Sequence, residues 1–361
     1  MNQSLIIAEA GVNHNGDPDL AFKLIDAASR AGADIVKFQT FKAKNLVTKD
    51  AEQCDYQIAN TGKKESQYSM LKRLELNYEL HFELRDYCNK KGIEFLSTAF
   101  DEESLDFLVN DLGLTRLKLP SGEITNAPLI LAHARTGCDI ILSTGMANLS
   151  EIEMALGVIA FGYLTDNDIT PSSSDFEQAY TSEAGQKILK EKVIILHCTT
   201  EYPAPIDEIN LQVMNTLSSA FNLSTGYSDH SSGITIPIAA VSRGAVLVEK
   251  HFTLDKTLPG PDHKASLDPT ELTAMVKAIR DVELAIGNGV KSPTMSELKN
   301  RKIARKSIVA KRAVNKGERF TSENLEVKRP GGGMSPFLLW RLLTTNATKG
   351  YAVGELIEEK L

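Results

Sequence analysis

The sequence lacks the marks of several protein classes. It has four cysteines but no CxxC pair, and it contains neither a GxxxxGK[ST] nor a GxGxxG motif. Scattered cysteines argue against a disulfide framework or a structural zinc site, and the missing glycine-rich loops argue against a nucleotide cofactor. No apolar stretch approaches the roughly 20 residues of a membrane span, and the N-terminus lacks a basic start followed by a long apolar block. We therefore expect a cytoplasmic protein without a membrane partner.

Charge is distributed unevenly along the chain. The whole protein carries a formal net charge of −7, whereas residues 291–361 contain 15 Lys or Arg against 7 Asp or Glu. This shift predicts a boundary near residue 290, and the length and composition suit one large and one small globular domain. The basic stretch KNRKIARKSIVAKR would suit a nucleic-acid arm, but such runs are more often solvated linker faces. We expect no nucleic-acid partner.

Short apolar runs alternate with amphipathic segments before residue 255. Eight runs are rich in β-branched residues and end in polar residues or glycine: SLIIAEAG, DIVKFQT, IEFLSTAF, RLKLPSGE, IILSTGM, VIILHCTTEY, LSTGYSDHS and AVLVEKHFT. Helix start signals lie between them at Asp17-Pro18, at Asn148 with Glu151, and at Asp268-Pro269 with Glu271. The alternation predicts an α/β fold, either a (β/α)8 TIM barrel or a doubly wound open sheet.

Polar strand ends favour the barrel over the open sheet. In a barrel the carboxyl ends of all strands meet at one face, so polar residues far apart in sequence converge on one pocket. We expect a catalytic barrel over residues 1–287, a linker over 288–306 and a small, mostly β domain over 307–361. The last part reads as short strands and turns, from KSIVAKRAV to FTSENLEVKRPGGG.

The last predicted barrel strand ends in charged residues. Because side chains alternate along a strand, Glu249 and His251 share one face and Lys250 takes the other. The preceding strand places Ser228 and His230 on one face as well. A single histidine at a strand end is more often structural, but two from neighbouring strands predict a divalent-metal site with open positions for water or substrate.

Two carboxylates, Glu9 and Glu123, also end apolar strands. Burying an ionised carboxylate is costly unless it is paired or used, so both are candidates for proton transfer. The alternative is a buried salt bridge with Lys37 or Lys118.

Lysines and hydroxyls at the strand ends predict an anion site. A lysine beside hydroxyls and backbone N–H groups can hold a phosphate or a carboxylate. The candidates are Lys37, Lys118, Ser121, Ser143 and Ser228. Simple alternation places Lys118 and Ser121 on opposite faces, so this site requires a bend at Pro120.

Ten motifs in order resemble the sialic acid synthase family, including its legionaminic and pseudaminic acid branches. They are IIAEAGVNHNGD, VKFQTFKA, STAFD, KLPSGE, STGMA, HCTTEYPAP, GYSDHSSG, EKHFTLD, GPDHKASL and VKRPGGG. The resemblance spans nearly the whole chain, and its tail resembles the antifreeze-like (SAF) domain that follows the barrel in that family.

The resemblance implies condensation of phosphoenolpyruvate with an N-acetylated mannose-type sugar. The product would be phosphate and a nine-carbon α-keto acid, N-acetylneuraminate or N,N'-diacetyllegionaminate. His230 and His251 would hold Mn²⁺ or Mg²⁺, and Glu9, Glu123 and Lys37 would be catalytic. The residues expected to bind substrate are Gln39, Thr98, Lys118, Ser121, Ser143, Thr200, Tyr202, Ser228 and Asp262.

Arg329 in VKRPGGG is also assigned by resemblance. In the family, the arginine of this motif comes from the SAF domain of a partner subunit and reaches the N-acetyl group of the sugar. A domain-swapped homodimer follows, with a linker extended enough to cross between subunits.

Several alternatives stay open at this point. The acceptor is N-acetylmannosamine or 2,4-diacetamido-2,4,6-trideoxymannose, and a pseudaminate synthase or another metal-dependent barrel lyase is the next alternative. A non-catalytic glycan binder is disfavoured because the predicted acids and histidines are all present. Two residues depart from the family pattern, Ala99 where proline is frequent and Thr200 where some members have asparagine.

Overall fold

Eight parallel strands close into a barrel in the computed structural model, which describes residues 3–166 and 169–358. The strands are β1 (Leu5–Gly11), β2 (Ile35–Thr40), β3 (Glu94–Ala99), β4 (Arg116–Leu119), β5 (Asp139–Ser143), β6 (Val193–Cys198), β7 (Ser224–Asp229) and β8 (Leu247–His251). Each strand pairs with the next in sequence, and β8 pairs with β1. The predicted (β/α)8 barrel is confirmed, and the open sheet is excluded because the sheet has no edge.

Helices connect the strands and surround the barrel. They are α1 (Pro18–Ala31), α2 (Ala43–Leu46), α3 (Asp55–Thr61), α4 (Gln67–Leu74), α5 (Tyr78–Lys91), α6 (Glu102–Asp106), α7 (Ala127–Arg135), α8 (Leu149–Leu164), α9 (Ser173–Thr181), α10 (Glu183–Lys192), α11 (Val213–Phe221), α12 (Thr235–Ser242) and α13 (Pro269–Ile286). Within residues 3–166 and 169–358, no helix combines the length and apolar character needed to cross a membrane.

The predicted helix starts are confirmed by their caps. The side chain of Asp17 accepts a hydrogen bond from the backbone N–H of Asp19 at 2.8 Å. Asn148 and Asp268 each form a capping box with the glutamate three residues later. These caps satisfy backbone N–H groups that a first helical turn leaves unpaired.

The barrel interior is built in layers by strand alternation. One layer is apolar and consists of Ile7, Ile35, Leu96, Ile141, Leu196 and Leu247. Two residues further along the same strands, the inward positions are polar: Glu9, Lys37, Thr98, Ser143, Cys198 and Glu249. Since inward positions recur every second residue, the apolar layer forms the floor beneath the polar one.

Gly226 marks a tight place in this floor. A Cβ at this position would lie 2.5 Å from the carbonyl oxygen of Leu247 and 2.6 Å from a methyl carbon of Leu196. Such contacts are far shorter than van der Waals separation, so the inward position of β7 requires glycine. The neighbouring leucines fill the space that a side chain would have taken.

Lys250 lies on the face of β8 that points away from the barrel interior. This side chain is fully buried, and its Nζ lies 2.6 Å from Oδ2 of Asp229 on β7. It also donates to the backbone carbonyl of Ser231. The sequence placed Lys250 on the face away from Glu249 and His251, and the structure confirms that placement. A buried charge is tolerated here because it is paired and hydrogen-bonded.

The chain divides into two units, Met1–Gly287 and Asn288–Leu361. In the second unit β9 (Ser307–Ala310) pairs antiparallel with β10 (Leu325–Lys328), and a short helix α15 (Leu339–Leu342) follows. The predicted mostly β character is confirmed. Within the predicted linker, 288–306, residues Met295–Ala304 form a helix, α14, capped by Thr294. The helix forms because Thr294 and Glu297 make a capping box.

Acidification should destabilise the fold through buried neutral histidines such as His133. Burial lowers the pKa of His133 from 6.5 to about 4, and its Nδ1 contacts the carbonyl oxygen of Leu129 at 2.8 Å. Between pH 6.5 and 4 the unfolded chain therefore binds a proton that the folded chain does not, so stability falls as pH falls. This residue alone should contribute a loss of about 2 kcal/mol between pH 7 and pH 5.

Urea unfolding of the wild type and of His133→Gln at pH 7 and pH 5 measures this contribution. We expect the variant to lose less stability on acidification by about the same 2 kcal/mol. An identical pH dependence in the two proteins would contradict the prediction.

Candidate active site

A cavity of about 330 Å³ opens at the carboxyl ends of the barrel strands. Fourteen of the fifteen predicted site residues line it: Glu9, Lys37, Gln39, Thr98, Lys118, Ser121, Glu123, Ser143, Thr200, Tyr202, Ser228, His230, His251 and Asp262. The fifteenth, Arg329, belongs to the second unit, where it follows β10 and donates from Nε to the carbonyl oxygen of Ala304 at 2.9 Å. The barrel thus brings residues of all eight strands to one pocket.

Two buried lysines and two buried carboxylates form the centre of the cavity. Lys37 Nζ lies 2.6 Å from Oε2 of Glu9 and 3.5 Å from Oε2 of Glu249. It also donates to Thr98 Oγ1 at 3.0 Å. Lys118 Nζ lies 3.8 Å from Oε1 of Glu249 on its other side. Glu249 therefore sits between the two lysines.

The two carboxylates have opposite protonation tendencies. Burial raises the pKa of Glu9 to about 7, although Lys37 opposes this shift. Burial also disfavours the charge of Glu249, but Lys118 and Lys37 outweigh it and lower its pKa to about 2. Glu249 is therefore ionised at neutral pH, and Glu9 is poised to exchange a proton. Divergent carboxyl pKa values of this kind are typical of acid–base sites.

The lysines respond to the same neighbours. Burial opposes the charge of Lys37, but Glu249 and Glu9 outweigh burial and raise its pKa. At Lys118 the effect of burial outweighs that of the nearby Glu249, so the pKa of this lysine is lowered. An anion bound in the cavity would add negative charge near Lys118 and would favour the protonated form of this lysine.

Hydroxyls surround the two ammonium groups. Lys118 Nζ donates to Ser143 Oγ at 2.6 Å, and Ser228 Oγ donates to Glu249 Oε1 at 2.9 Å. Ser121 Oγ accepts from the backbone N–H of Gly145 at 2.9 Å. After Pro120 the chain turns into a 3₁₀ helix over Ser121–Glu123. This turn brings Ser121 to the same cavity as Lys118, which simple alternation did not allow.

The glycine at position 145 leaves room for the side chains of Ser121 and Thr200. A Cβ on Gly145 would collide with Thr200 Oγ1 and would lie 2.8 Å from both Ser121 Oγ and Cys198 Sγ. Thr200 Oγ1 is buried and has no hydrogen-bond partner within the described part of the chain. Its free hydroxyl is available to a ligand in the cavity.

The histidines His230 and His251 lie side by side, with ring centroids 5.6 Å apart. His230 Nδ1 lies 2.6 Å from the carbonyl oxygen of Thr199. Because a carbonyl only accepts, Nδ1 carries the proton and Nε2 keeps the lone pair. His251 Nδ1 is buried without a hydrogen-bond partner among the described residues.

Both rings are suited to bind a cation. Burial lowers the pKa of His230 to about 4 and that of His251 well below its usual value, so both are neutral at pH 7. Neutral imidazole is the metal-binding form. Among residues 3–166 and 169–358, no group of three or more His, Cys, Asp or Glu is arranged to hold a metal ion. The donor set that these residues offer to a cation is the pair of neutral imidazoles, His230 and His251.

Tyr202 and Asp262 border the histidine pair. The Tyr202 ring lies 4.1 Å from that of His230 and 5.0 Å from that of Tyr56. Asp262 Oδ2 is 3.9 Å from His251 Nδ1, and burial raises the pKa of Asp262 to about 6. Aromatic contacts of Tyr202 therefore pack against the histidine side of the cavity.

Glu123 stands at the rim rather than in the centre. Its Oε2 accepts a hydrogen bond from Asn126 Nδ2 at 2.7 Å. The Oδ1 of Asn126 in turn accepts from the backbone N–H of Leu129 and caps α7. The carboxylate is thus held by a residue that also fixes a helix end.

Glu249 is the main site residue that the sequence reasoning did not select. It appeared there only as a polar neighbour of His251. The signal that would have found it is its position on the inward face of β8, two residues before His251. The apolar residues contributed by the segment after β2, including Leu46, Val47 and Leu71, were also missed.

Comparison with known families matches both units of the chain. Residues 24–291 match the NeuB family, and residues 305–337 match the SAF domain.

Comparison with individual proteins points the same way. The N,N'-diacetyllegionaminic acid synthase of Campylobacter jejuni serotype O:2 is 49% identical over 99% of this chain and 100% of that protein. A pseudaminic acid synthase of Campylobacter jejuni serotype O:23/36 is 32% identical over 98% of this chain and 95% of that protein. The crystal structure of a Leptospira borgpetersenii N-acetylneuraminic acid synthetase with citrate superposes with a TM-score of 0.66 at 33% identity, over 83% of this chain and 90% of that one.

Proposed function

The chain belongs to the NeuB family, and on that premise we propose that it condenses phosphoenolpyruvate with an N-acetylated mannose-type sugar to give a sialic-acid-type α-keto acid and phosphate. Of the possible products we favour N,N'-diacetyllegionaminic acid, because the identity is 49% to a synthase of that acid and 32% to a pseudaminic acid synthase. The strongest support in the structure is one cavity that combines two buried lysines, a carboxyl of raised pKa and two neutral histidines.

The reaction forms one carbon–carbon bond and breaks one bond to phosphate. C3 of phosphoenolpyruvate attacks the aldehyde carbon of the open-chain sugar, and the aldehyde oxygen takes up a proton. The attack leaves positive charge at C2, where water adds and loses a proton before phosphate departs. The site must therefore bind an anion, orient an aldehyde and move protons.

Lys37 and Lys118 are proposed to hold phosphoenolpyruvate together with Ser121, Ser143 and Ser228. Charge-assisted hydrogen bonds from an ammonium group are about twice as strong as neutral ones. Both lysines are buried and are held by Glu249 between them. Two threonines complete the proposed cradle: Thr98, which accepts from Lys37, and Thr200, whose hydroxyl has no partner among the described residues.

His230 and His251 are proposed to hold the divalent cation on which the family depends, with Mn²⁺ or Mg²⁺ as the expected ion. When bound, such a cation acts as a Lewis acid that polarises the aldehyde carbonyl. Their neutral state and the lone pair of His230 Nε2 support this role. Tyr202, Gln39 and Asp262 would orient the sugar beside them.

Glu9 is proposed to manage the proton of the added water. A carboxyl with a pKa of about 7 can accept a proton and return it at neutral pH. Its Oε1 lies 3.4 Å from Gln39 Nε2, which limits its rotation. Glu123, held by Asn126, would face the reacting end of the sugar from the rim.

Arg329 and a domain-swapped homodimer belong to the same proposal. The side chain is exposed, and it lies in the stretch of the chain where positive charges exceed negative ones. A guanidinium group suits an N-acetyl carbonyl because it donates two parallel N–H groups. The crossing of Arg329 to the barrel of a partner subunit and a cytoplasmic location both stay predictions.

A phosphate-release assay tests the function. With phosphoenolpyruvate and Mn²⁺ we expect release that requires 2,4-diacetamido-2,4,6-trideoxymannose, with slower release on N-acetylmannosamine. Mass spectrometry should detect the condensed nine-carbon acid. Phosphate release without a condensed product, or none with either sugar, would contradict the proposal. Strict preference for the isomeric pseudaminic acid precursor would favour the pseudaminate alternative.

A further inference from the structure

The cavity has an apolar side that the chemistry of condensation does not require. Besides the lysines and histidines, its lining includes Phe41, Leu46, Val47, Met70, Leu71 and Phe100, hereafter the apolar wall. Five of the six come from the segment between β2 and α5, which carries α2 and α4. Phosphoenolpyruvate is small and anionic and gains nothing from such a surface.

The apolar wall is a packed structure rather than a loose flap. Phe41 and Met70 are buried, and Phe41 packs edge to face on Phe100 with ring centroids 6.1 Å apart. The backbone N–H of Ala43, at the start of α2, donates to Glu75 Oε1 at 2.6 Å. A surface held in this way can discriminate between ligand shapes, because its side chains cannot easily move aside.

The segment that carries the wall is also tied to the other side of the cavity mouth. Asn60 Nδ2, near the end of α3, donates to the carbonyl oxygen of Pro261 at 2.7 Å. Lys264 Nζ donates to the carbonyl oxygen of Ala59 at 3.0 Å. These bonds tie α3, which lies between α2 and α4 in the sequence, to the loop that bears Asp262.

The position of the apolar wall determines which part of the sugar can contact it. The aldehyde carbon must lie at the anion cradle of Lys37 and Lys118, since that is where the new bond forms. Residues of the segment after β2 line the same cavity, so the other end of an extended six-carbon chain could reach them. There Leu46, Val47 and Leu71 are only half-buried and expose carbon to the cavity.

We infer that the apolar wall determines sugar specificity by accepting the 6-methyl group and the 4-acetamido methyl group of a 6-deoxy, doubly acetylated sugar. The inference rests on the proposed function and adds the residues that choose its acceptor. A methyl group packed against these side chains is removed from water, which favours its binding. The hydroxyl groups of N-acetylmannosamine at the same positions would lose water without gaining a hydrogen-bond partner.

Two substitutions test the wall by changing its polarity with little change in volume. Val47→Thr replaces one methyl group with a hydroxyl, and Leu71→Asn replaces an isobutyl group with an amide of similar shape. Val246→Thr is the matched control. It makes the same valine-to-threonine exchange at an exposed residue just before β8, at the end of the barrel away from the cavity. For each protein we would measure kcat/KM for both sugars, KM for phosphoenolpyruvate, and thermal unfolding.

We expect each wall variant to reduce the preference for the diacetamido sugar over N-acetylmannosamine by about tenfold, mainly through KM for the sugar. The KM for phosphoenolpyruvate should change by less than about twofold, and Val246→Thr should retain the wild-type preference. If both wall variants fold and turn over both sugars with the wild-type preference, the inference is overturned while the proposed function stands. If the wild type converts neither sugar, both the inference and the proposed function are contradicted.

Discussion

His251→Ala should lower the rate of phosphate release by about three orders of magnitude or more. The substitution removes one of two neutral imidazoles whose rings lie 5.6 Å apart, and a single remaining ligand cannot retain a cation at ordinary concentrations. The proposed cation would polarise the aldehyde, a contribution worth several kcal/mol of barrier, and this variant would lose it. Rates at saturating phosphoenolpyruvate and sugar, with Mn²⁺ titrated, measure the effect.

A matched control for this variant is His133→Gln. His133 is also a buried, neutral histidine, but it lies in α7 and contacts a helix carbonyl rather than the cavity. The His133→Gln variant should release phosphate at close to the wild-type rate under native conditions. Mn²⁺ binding followed by calorimetry gives a second readout, which should be lost in His251→Ala and kept in the control. Unchanged turnover in His251→Ala would refute the assignment of this residue as a metal ligand.

Glu9→Gln should lower kcat by about 10²–10⁴-fold, the range that a positioned general acid or base supplies. Glutamine has the same shape and can still hydrogen-bond to its neighbours, but it cannot take a proton from water. The KM for phosphoenolpyruvate should change far less, because Lys37 keeps its contacts with Glu249 and Thr98. Steady-state kinetics on both substrates separate the two parameters.

Glu94→Gln provides the comparison for Glu9→Gln. Glu94 is also a strand glutamate whose pKa is raised by burial, but it begins β3 at the opposite end of the barrel and pairs with Arg116 at 3.6 Å. It should keep wild-type kcat. A Glu9→Gln enzyme with more than about half the wild-type kcat would remove Glu9 from the proton-transfer step.

Much of this site follows from strand alternation and from the order of the strands. The spacing of Glu249, Lys250 and His251 predicts which side chains enter the barrel, and the pairing of Ser228 with Glu249 has the expected register. The capping residues Asp17, Asn148 and Asp268 predict the helix starts because a cap is a local interaction. Local patterns of this kind are legible in a single sequence.

The parts that the sequence does not predict depend on contacts across the barrel. Glu249 becomes central because barrel closure brings β8 beside β1, whose own neighbour β2 carries Lys37. The apolar wall requires the placement of α2 and α4, short helices with few local signals. The helix α14 is a different case: its capping box of Thr294 and Glu297 is a local signal that the sequence reasoning overlooked, because its basic segment has no buried face and hence no hydrophobic periodicity.

The apolar floor beneath the lysines has a consequence for the order of events. Phosphoenolpyruvate in the proposed cradle would rest directly above Ile7, Leu96 and Leu196, with the sugar between it and the mouth. A sugar that arrives first would obstruct the path of the smaller anion. If the proposed cradle holds phosphoenolpyruvate, we expect it to enter before the sugar. On the same premise the nine-carbon acid would leave first, and phosphate, bound deepest, would dissociate after it.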